Sequence, residues 1–444
     1  MTSRLLPLAA VMTLAGHALH AQTTLSLGDA ARLAARQSGG VDVARERVAQ
    51  AEARVTQRRG ALFPDLAAGI QQAERTLNSA TFGFAFTNPV TGQPLLRPDG
   101  EIIGPVPTVD LRYRLQQPLL DLGSIAKWRV AQSSVVAANA DVQAQADNAA
   151  ATAAAVYVRA ARAEAQLASR RADSALAADL LRIARDQLQA GTGIALDVTR
   201  AESQLANVRA QIIGARNERD RGLLELRRAV GMSLDAPLTL SDSLAGMPVG
   251  DVAPDVASAL ARATESRADV KALLAQETSQ RLAANAIKWE RTPQLGLVVD
   301  QGVIGKHWNR LLPTYSWGVQ LSVGLFDGFR RAGRLQEQVA AAREIDAKLR
   351  ELRAQSALEV RSALLDLSAA LEQVDAVGER LRFAEQEVSQ ARERFRAGVA
   401  GNGDVITALL SLNQARTLRN DALANFQGSR VALARAMGEV QKLP

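Results

Sequence analysis

The chain contains the same unit twice. ARDQLQAGTGIALDVTRAESQLANVRA at 184–210 lies over ARERFRAGVAGNGDVITALLSLNQART at 391–417 at a constant offset and without a gap. Arg185 meets Arg392, Gly191 meets Gly398, Asp197-Val198 meets Asp404-Val405, Leu205 meets Leu412 and Gly231 meets Gly438. Upstream, LLDLGSIA (119–126) matches LFDGFRRA (325–332), which sets Asp121 on Asp327; Pro64 and Leu66 correspond to Pro293 and Leu295. Helical low complexity produces scattered alanine and arginine matches, but it does not keep glycine, proline and aspartate landmarks in one order. A repeated unit buries its apolar face against its neighbours, so what one half builds the other must complete. The sequence divides into a secretory signal peptide (1–21), a first repeat (22–236), an inter-repeat linker (237–254) and a second repeat (255–444).

Each repeat reads helix, strand, strand, long helix, turn, helix. In the second, Leu335, Val339, Ala342, Ile345, Leu349 and Leu352 recur at steps of three and four. After a slip at Ser356 the pattern resumes at Val360, Leu364, Leu367, Leu371, Val374, Leu381, Val388 and Phe395. That spacing is the seam of a left-handed coiled coil. It predicts one helix from Phe329 to Ala397, on the order of 100 Å long at ~1.5 Å per residue. Its counterpart runs from Ser124 to Ala190, while Leu27–Gly60 and Ile194–Val230 are about half that length. Two short helices stacked end to end match one long one, which are the proportions of a wall. The composition agrees: 47% of residues are hydrophobic but only 4% aromatic, so the apolar surface is mostly alanine, leucine and valine.

The same composition excludes several functions. Arg4, an apolar stretch from Leu5 to Leu19 and small residues before a cleavage point after Ala21 form the signal peptide. Two of the three histidines, His17 and His20, fall within it, leaving His307, and there is no cysteine. Thiolate zinc sites, disulfides, cysteine nucleophiles and histidine clusters all lack parts, so neither a cofactor nor an enzymatic reaction is expected. The net charge of +7 is spread along the chain rather than gathered into a stripe, which argues against nucleic acid as a partner. No segment after the signal has the ~18 consecutive apolar residues of a spanning helix.

In four places the period changes to two. Val109, Leu111, Tyr113 and Leu115 alternate with Asp110, Arg112, Arg114 and Gln116. Tyr315, Trp317, Val319, Leu321, Val323 and Leu325 alternate with small or polar residues, and two further runs begin after prolines at Leu66 and Leu295. Each run is about the 9–11 residues that a tilted strand needs to cross a bilayer. The segments 78–107 and 302–313 read as the hairpin loops. In isolation such runs also suit a soluble β domain, but four strands bury too little of helices this long. A spanning sheet cannot keep open edges, and the smallest barrels have about eight strands. Several copies must therefore share one barrel, with Leu111, Tyr113, Trp317, Val319, Leu321 and Val323 toward lipid and Asp110, Arg112 and Arg114 toward water.

Signal, duplication, paired strands and the motif AG-x5-DV, at Ala190-Gly191 with Asp197-Val198 and at Ala397-Gly398 with Asp404-Val405, together resemble the TolC family of outer-membrane efflux ducts. The resemblance covers nearly the whole chain after the signal. It implies a mainly α fold with a small β part: a homotrimer whose strands share a β-barrel in outer-membrane lipid and whose coiled-coil helices form an α-barrel across the periplasm. It also implies two partners, a periplasmic adaptor (membrane fusion protein) and an inner-membrane transporter, and a passive channel that opens when they dock. The family's gate places aspartates at the start of the last helix, and Asp404 falls on the first of them. Thr407 stands where the second would be, and Ala400 stands where some members have a latching arginine. On residues alone, Asp404 and Asp197 also suit helix N-caps. Gly191, Gly193, Gly398, Gly401 and Gly403 suit tight turns between antiparallel helices, and since neither run follows a strand they do not form a nucleotide loop. A periplasmic adaptor would also carry a signal and a coiled-coil hairpin, but with one hairpin flanked by compact β domains rather than two hairpins and four strands.

Overall fold

The helix expected from Leu27 to Gly60 breaks at Ser38. The computed structural model describes residues 23–83, 87–97, 99–249 and 254–444, and the signal peptide 1–21 lies outside them. The first half runs β1 (Thr23–Leu25), α1 (Leu27–Gln37), α2 (Gly39–Gly60), β2 (Asp65–Asn78), β3 (Ile102–Leu120), α3 (Leu122–Gln189) and α4 (Ala195–Ala229). The second runs β4 (Leu238–Leu240), α5 (Val256–Ser266), α6 (Ala268–Trp289), β5 (Gln294–Gly305), β6 (Leu312–Ser322), α7 (Arg330–Arg396) and α8 (Asn402–Met437). Among the described residues, no helix is long and apolar enough to cross a membrane.

The break at Ser38 has a counterpart at Arg267, and both have a tertiary cause. Gly231 and Gly438 end α4 and α8 in the left-handed region, at φ +76° and +73°. A Cβ on Gly231 would lie 2.3 Å from the Gln37 carbonyl oxygen, and one on Gly438 would lie 2.9 Å from the Arg267 nitrogen. The turn after each last helix is thus pressed onto the break in the first helix of its repeat, an approach that only glycine permits.

Two compact units divide the chain, and each draws on both repeats: residues 1–43, 143–268 and 354–444 form one, and 44–142 with 269–353 form the other. In the first unit α3, α4, α7 and α8 pack through small residues. Ala177, Ala184, Ala201, Ala384, Ala408 and Ala415 alternate there with Leu180, Leu205, Val388, Phe395, Val405 and Leu412, all buried. Such small side chains let helices approach closely, and many dispersion contacts accumulate along the seam. A second cluster joins α5, α7 and α8 around Val360, Leu364, Phe426 and Met437. The slip at Ser356 leaves no interruption, since α7 is continuous for 67 residues.

The segment 237–254 is more than a connector. Its β4 pairs in parallel with β1, Thr23 opposite Leu238 and Leu25 opposite Leu240, and Leu238, Leu244 and Met247 are buried. Tyr157 of α3, fully buried, holds this pair from below. Its hydroxyl lies 2.9 Å from the Leu25 carbonyl and 3.2 Å from Asp242 Oδ2 and accepts from the Asp242 N–H at 3.3 Å. Burial, with the neighbouring Asp242 carboxylate, pushes the phenol up from 10.0 to about 12. A folded-state value above the unfolded one means full stability below pH 10 and progressive loss toward pH 12, of roughly 2 kcal/mol. Tyr157→Phe should remove that alkaline loss while lowering stability at neutral pH by about 1–3 kcal/mol, because partners of the hydroxyl are left unsatisfied. Chemical unfolding at pH 7 and at pH 11 checks both signs.

The second unit holds an all-antiparallel four-stranded sheet in the order β2-β3-β5-β6. Its strands differ from the expected bounds. Pairing of β2 with β3 extends to Asn78 opposite Ile102, so the first connection is 79–101 rather than 78–107. Ile102, Ile103 and Val106 carry the strand past Pro105 and Pro107, with a register shift between Arg75 and Leu77 absorbing the irregularity. The second connection shrinks to 306–311, with the exposed His307 in it. At the other end β6 stops at Ser322, opposite the first residue of β5, Gln294. Val323 and Leu325 therefore lie outside the strand. Arg331 fixes the departure by donating to the Gly324 carbonyl at 2.8 Å and the Glu290 carbonyl at 3.0 Å.

Candidate channel wall and gate

The register of the sheet sorts its side chains into two faces, because directly paired residues point the same way. One face carries the rows Leu66–Leu115–Val299–Trp317, Ala68–Tyr113–Gln301–Tyr315 and Ile70–Leu111–Val303–Pro313. Val319 lies opposite Leu297 and Leu321 opposite Leu295. This apolar face is open: Leu66, Ile70, Tyr113, Tyr315, Trp317, Val319 and Leu321 are each more than half exposed. Of the residues expected on the lipid side, Leu111, Tyr113, Trp317, Val319 and Leu321 share this face, and Val323 is beyond the strand end.

The opposite face carries Asp110, Arg112 and Arg114 with Ser316, Gln320 and Gly302. Arg112 grips Asp110 through two hydrogen bonds of 3.2 and 2.9 Å. Arg114 reaches across to Asp300, its partner in register, at 2.8 Å. Sequence reasoning missed Asp300, although it is the one charge within the apolar run of β5. Among the described residues, both outer strands, β2 and β6, keep one edge without a partner.

In the first unit, the turns after α3 and α7 meet. Gly191 and Gly398 each adopt a left-handed φ, +72° and +71°, as the end of a helix entering a tight turn requires. Gly193 is needed for space, since a Cβ there would lie 2.9 Å from Gln187 Cβ. Gly401 and Gly403 have neither constraint, so the turn does not demand glycine at these two positions. Gln187 donates to the Phe395 carbonyl at 2.9 Å, and the buried Asn402 donates to the Asp197 carbonyl at 2.6 Å, linking the two turns.

Neither Asp197 nor Asp404 is a helix cap. Ile194 and Gly401 occupy the cap positions, and neither offers a side-chain hydrogen bond. Both aspartates sit in the first turn of their helices, where a carboxylate is favoured by the helix dipole without binding a specific amide. Asp404 is exposed and Asp197 half-buried. Thr407 bonds back to the Gly403 carbonyl at 3.0 Å, and Ala400 has only a methyl to offer, so nothing in this turn latches through an arginine at that position.

An ionic ladder was not visible in the helix pattern. Asp173 of α3, 2% exposed, accepts from Arg170 at 3.1 Å and from Arg416 of α8 at 2.6 Å. With its amide turned to donate, Asn413 adds contacts of 2.7 and 2.9 Å. Above it, Gln166 and Arg170 both donate to Thr417, and Asn420 donates to Gln166 and Ser169. Closer to the turn, Asp179 of α3 pairs with Arg392 and Arg396 of α7.

A largely helical chain with an open, one-face-apolar antiparallel sheet and paired helix turns defines a class: an outer-membrane channel protein. The model of the outer membrane efflux protein family matches residues 30–232 and 259–439, and the chain belongs to that family. Over 319 residues it is 26% identical to the alkaline protease secretion protein AprF of Pseudomonas aeruginosa; the match covers 68% of this chain and 63% of that protein. In structure it is similar to the CmeC outer membrane channel of Campylobacter jejuni, with a TM-score of 0.74, 16% identity and coverage of 93% and 85% of the two chains. VceC of Vibrio cholerae gives 0.71 and 18%, covering 93% and 96%. The fold is therefore that of the outer-membrane efflux channels.

Proposed function

We propose that this protein is a passive export conduit of the outer membrane. Three copies close one β-barrel, and a periplasmic adaptor and an inner-membrane transporter supply the cargo and the energy. The observation that carries this reading is the sheet: among the described residues it has four strands, two edges without partners, and an exposed apolar face. An open edge in hydrocarbon leaves backbone groups unsatisfied at several kcal/mol each, so the edges must be covered by strands of other copies. Asp110, Arg112, Arg114 and Asp300 then line the water-filled side, and Tyr315 and Trp317 suit the aromatic girdle of a barrel. Family membership supports the two partners, and the relative named for alkaline protease secretion makes polypeptides the first cargo class to test.

In the same reading Asp404, Thr407 and Asp197 mark the periplasmic gate. An exposed carboxylate contributed by each copy around a narrow pore favours cations and suppresses full ionisation of its neighbours. Purified protein in a planar bilayer should conduct, and Asp404→Ala should weaken both cation selectivity and block by divalent cations added on the helical side. Unchanged selectivity and block would remove Asp404 from the gate.

A further inference from the structure

The four places where helix meets strand share a composition that the barrel itself does not require. All lie in the second compact unit. At the end of α2, Arg54, Arg58 and Arg59 are exposed, and the Arg59 guanidinium lies 5.4 Å from the ring centre of Phe63. Where β3 passes into α3, the exposed Leu119 and Leu120 are followed by the exposed Arg129. Where α6 leads into β5, Trp289 stands between Lys288 and Arg291, all exposed. Where β6 leads into α7, Leu325, Phe326 and Phe329 are 92%, 76% and 75% exposed and are followed by Arg330.

Three of the acids nearby are already committed, and one, Asp65 at the start of β2, stays exposed. Glu290 is held by Lys127 at 2.9 Å and Arg334 at 2.5 Å. Asp327 takes Arg331 at 2.7 Å, and Asp121 takes the Ser124 amide and hydroxyl. Among the described residues, Arg58, Arg129, Arg291 and Arg330 have no carboxylate within ion-pair distance. Each junction therefore carries exposed apolar side chains and a cation with no carboxylate at ion-pair distance, Arg129 lying further along α3 than the others lie from their junctions. Aromatic and aliphatic side chains seat at the boundary between headgroup and hydrocarbon, and neighbouring long basic side chains reach the phosphates above them. The junctions follow directly on strands whose apolar face ends at Leu120, Leu295 and Leu321, so the surface is continuous with the one assigned to lipid.

We infer that the four helix–strand junctions form a basic collar that binds the phosphate groups of anionic phospholipids in the leaflet facing the helices. This rests on the sheet spanning the outer membrane. The test uses the full-length protein in phosphatidylcholine vesicles carrying a small fraction of spin-labelled phosphatidylglycerol or spin-labelled phosphatidylcholine. The wild type should immobilise the phosphatidylglycerol label several-fold more than the phosphatidylcholine label at low salt. The preference should vanish in concentrated sodium chloride, and inorganic phosphate at matched ionic strength should not compete for it. Replacing Arg58, Arg129, Arg291 and Arg330 by Gln should abolish the preference, each arginine contributing up to about fivefold, while replacement by Lys should keep it. If the Gln variant fails to assemble, the wild-type salt response and the Lys variant decide. Equal immobilisation of the two labels by the wild type, or a preference that survives in an assembled Gln variant, overturns the collar and leaves the channel intact. A wild type that immobilises neither label overturns the membrane reading as well.

Discussion

Val319→Arg should abolish assembly of the protein in the outer membrane, and Leu321→Arg should reduce it. Both side chains stand on the apolar face of β6, 57% and 66% exposed, opposite Leu297 and Leu295. A guanidinium on a lipid-facing strand costs roughly 2–4 kcal/mol near the bilayer midplane and about 0–1 kcal/mol near the interface, so Val319→Arg, deeper in the strand, should lose more than Leu321→Arg at its end. That cost recurs in every copy sharing the barrel. Ser316→Arg on the same strand is the matched control, because its side chain belongs to the face with Arg114 and Asp300, where a further cation meets water. The measurement is the amount of oligomer extracted from outer-membrane fractions. Loss in the first two and retention in the third is the expected pattern; equal tolerance of all three would mean that Val319 and Leu321 do not face lipid.

Asp173→Ala should be the most damaging single change in the helical unit. It removes the carboxylate that Arg170 and Arg416 share and leaves two guanidinium groups, 17% and 22% exposed, without their counter-ion. Breaking a buried pair from one side costs about 3–5 kcal/mol, mostly the penalty of the stranded charge. Asp173→Asn keeps an acceptor and should lose less. Replacing Arg416 by Met in the Ala background should recover part of the loss, since one of the stranded charges disappears with it. Guanidinium unfolding of the wild type, Asp173→Ala, Arg416→Met and the double variant gives the cycle. An Ala variant within about 0.5 kcal/mol of wild type, the range of ordinary surface substitutions, would show that the ladder does not hold α3 to α8.

What the sequence disclosed and what it hid follow a physical line. Signals that repeat over many residues were legible: the seam of α7, the alternation in β3 and β6, and the matched turns at Gly191 and Gly398. Features set by one tertiary contact were not. The breaks at Ser38 and Arg267 answer to Gly231 and Gly438 in distant turns, which the sequence recorded only as a matched pair of glycines. Asp173 looked like one more charge on a solvated helix face, because Arg416 and Asn413, which bury it, lie on α8. The capping reading of Asp197 and Asp404 failed because each helix starts three residues before its carboxylate suggests, and Ile194 and Gly401 took the cap places without a side-chain bond. The end of β6 was misjudged because alternation continues through Val323 and Leu325 after the partner strand has run out.

The absence of cysteine makes the central claim directly testable by cross-linking between copies. One cysteine placed at Leu66, Ala68 or Ile70 on β2 is combined with one at Tyr315, Trp317 or Val319 on β6. Within a single chain these strands are held apart by β3 and β5. Oxidation in native outer membranes should yield, for at least one register of pairs, a covalent ladder that ends at three chains on a non-reducing gel. A uniform monomer across every pair, from protein that does reach the outer membrane, would contradict the shared barrel.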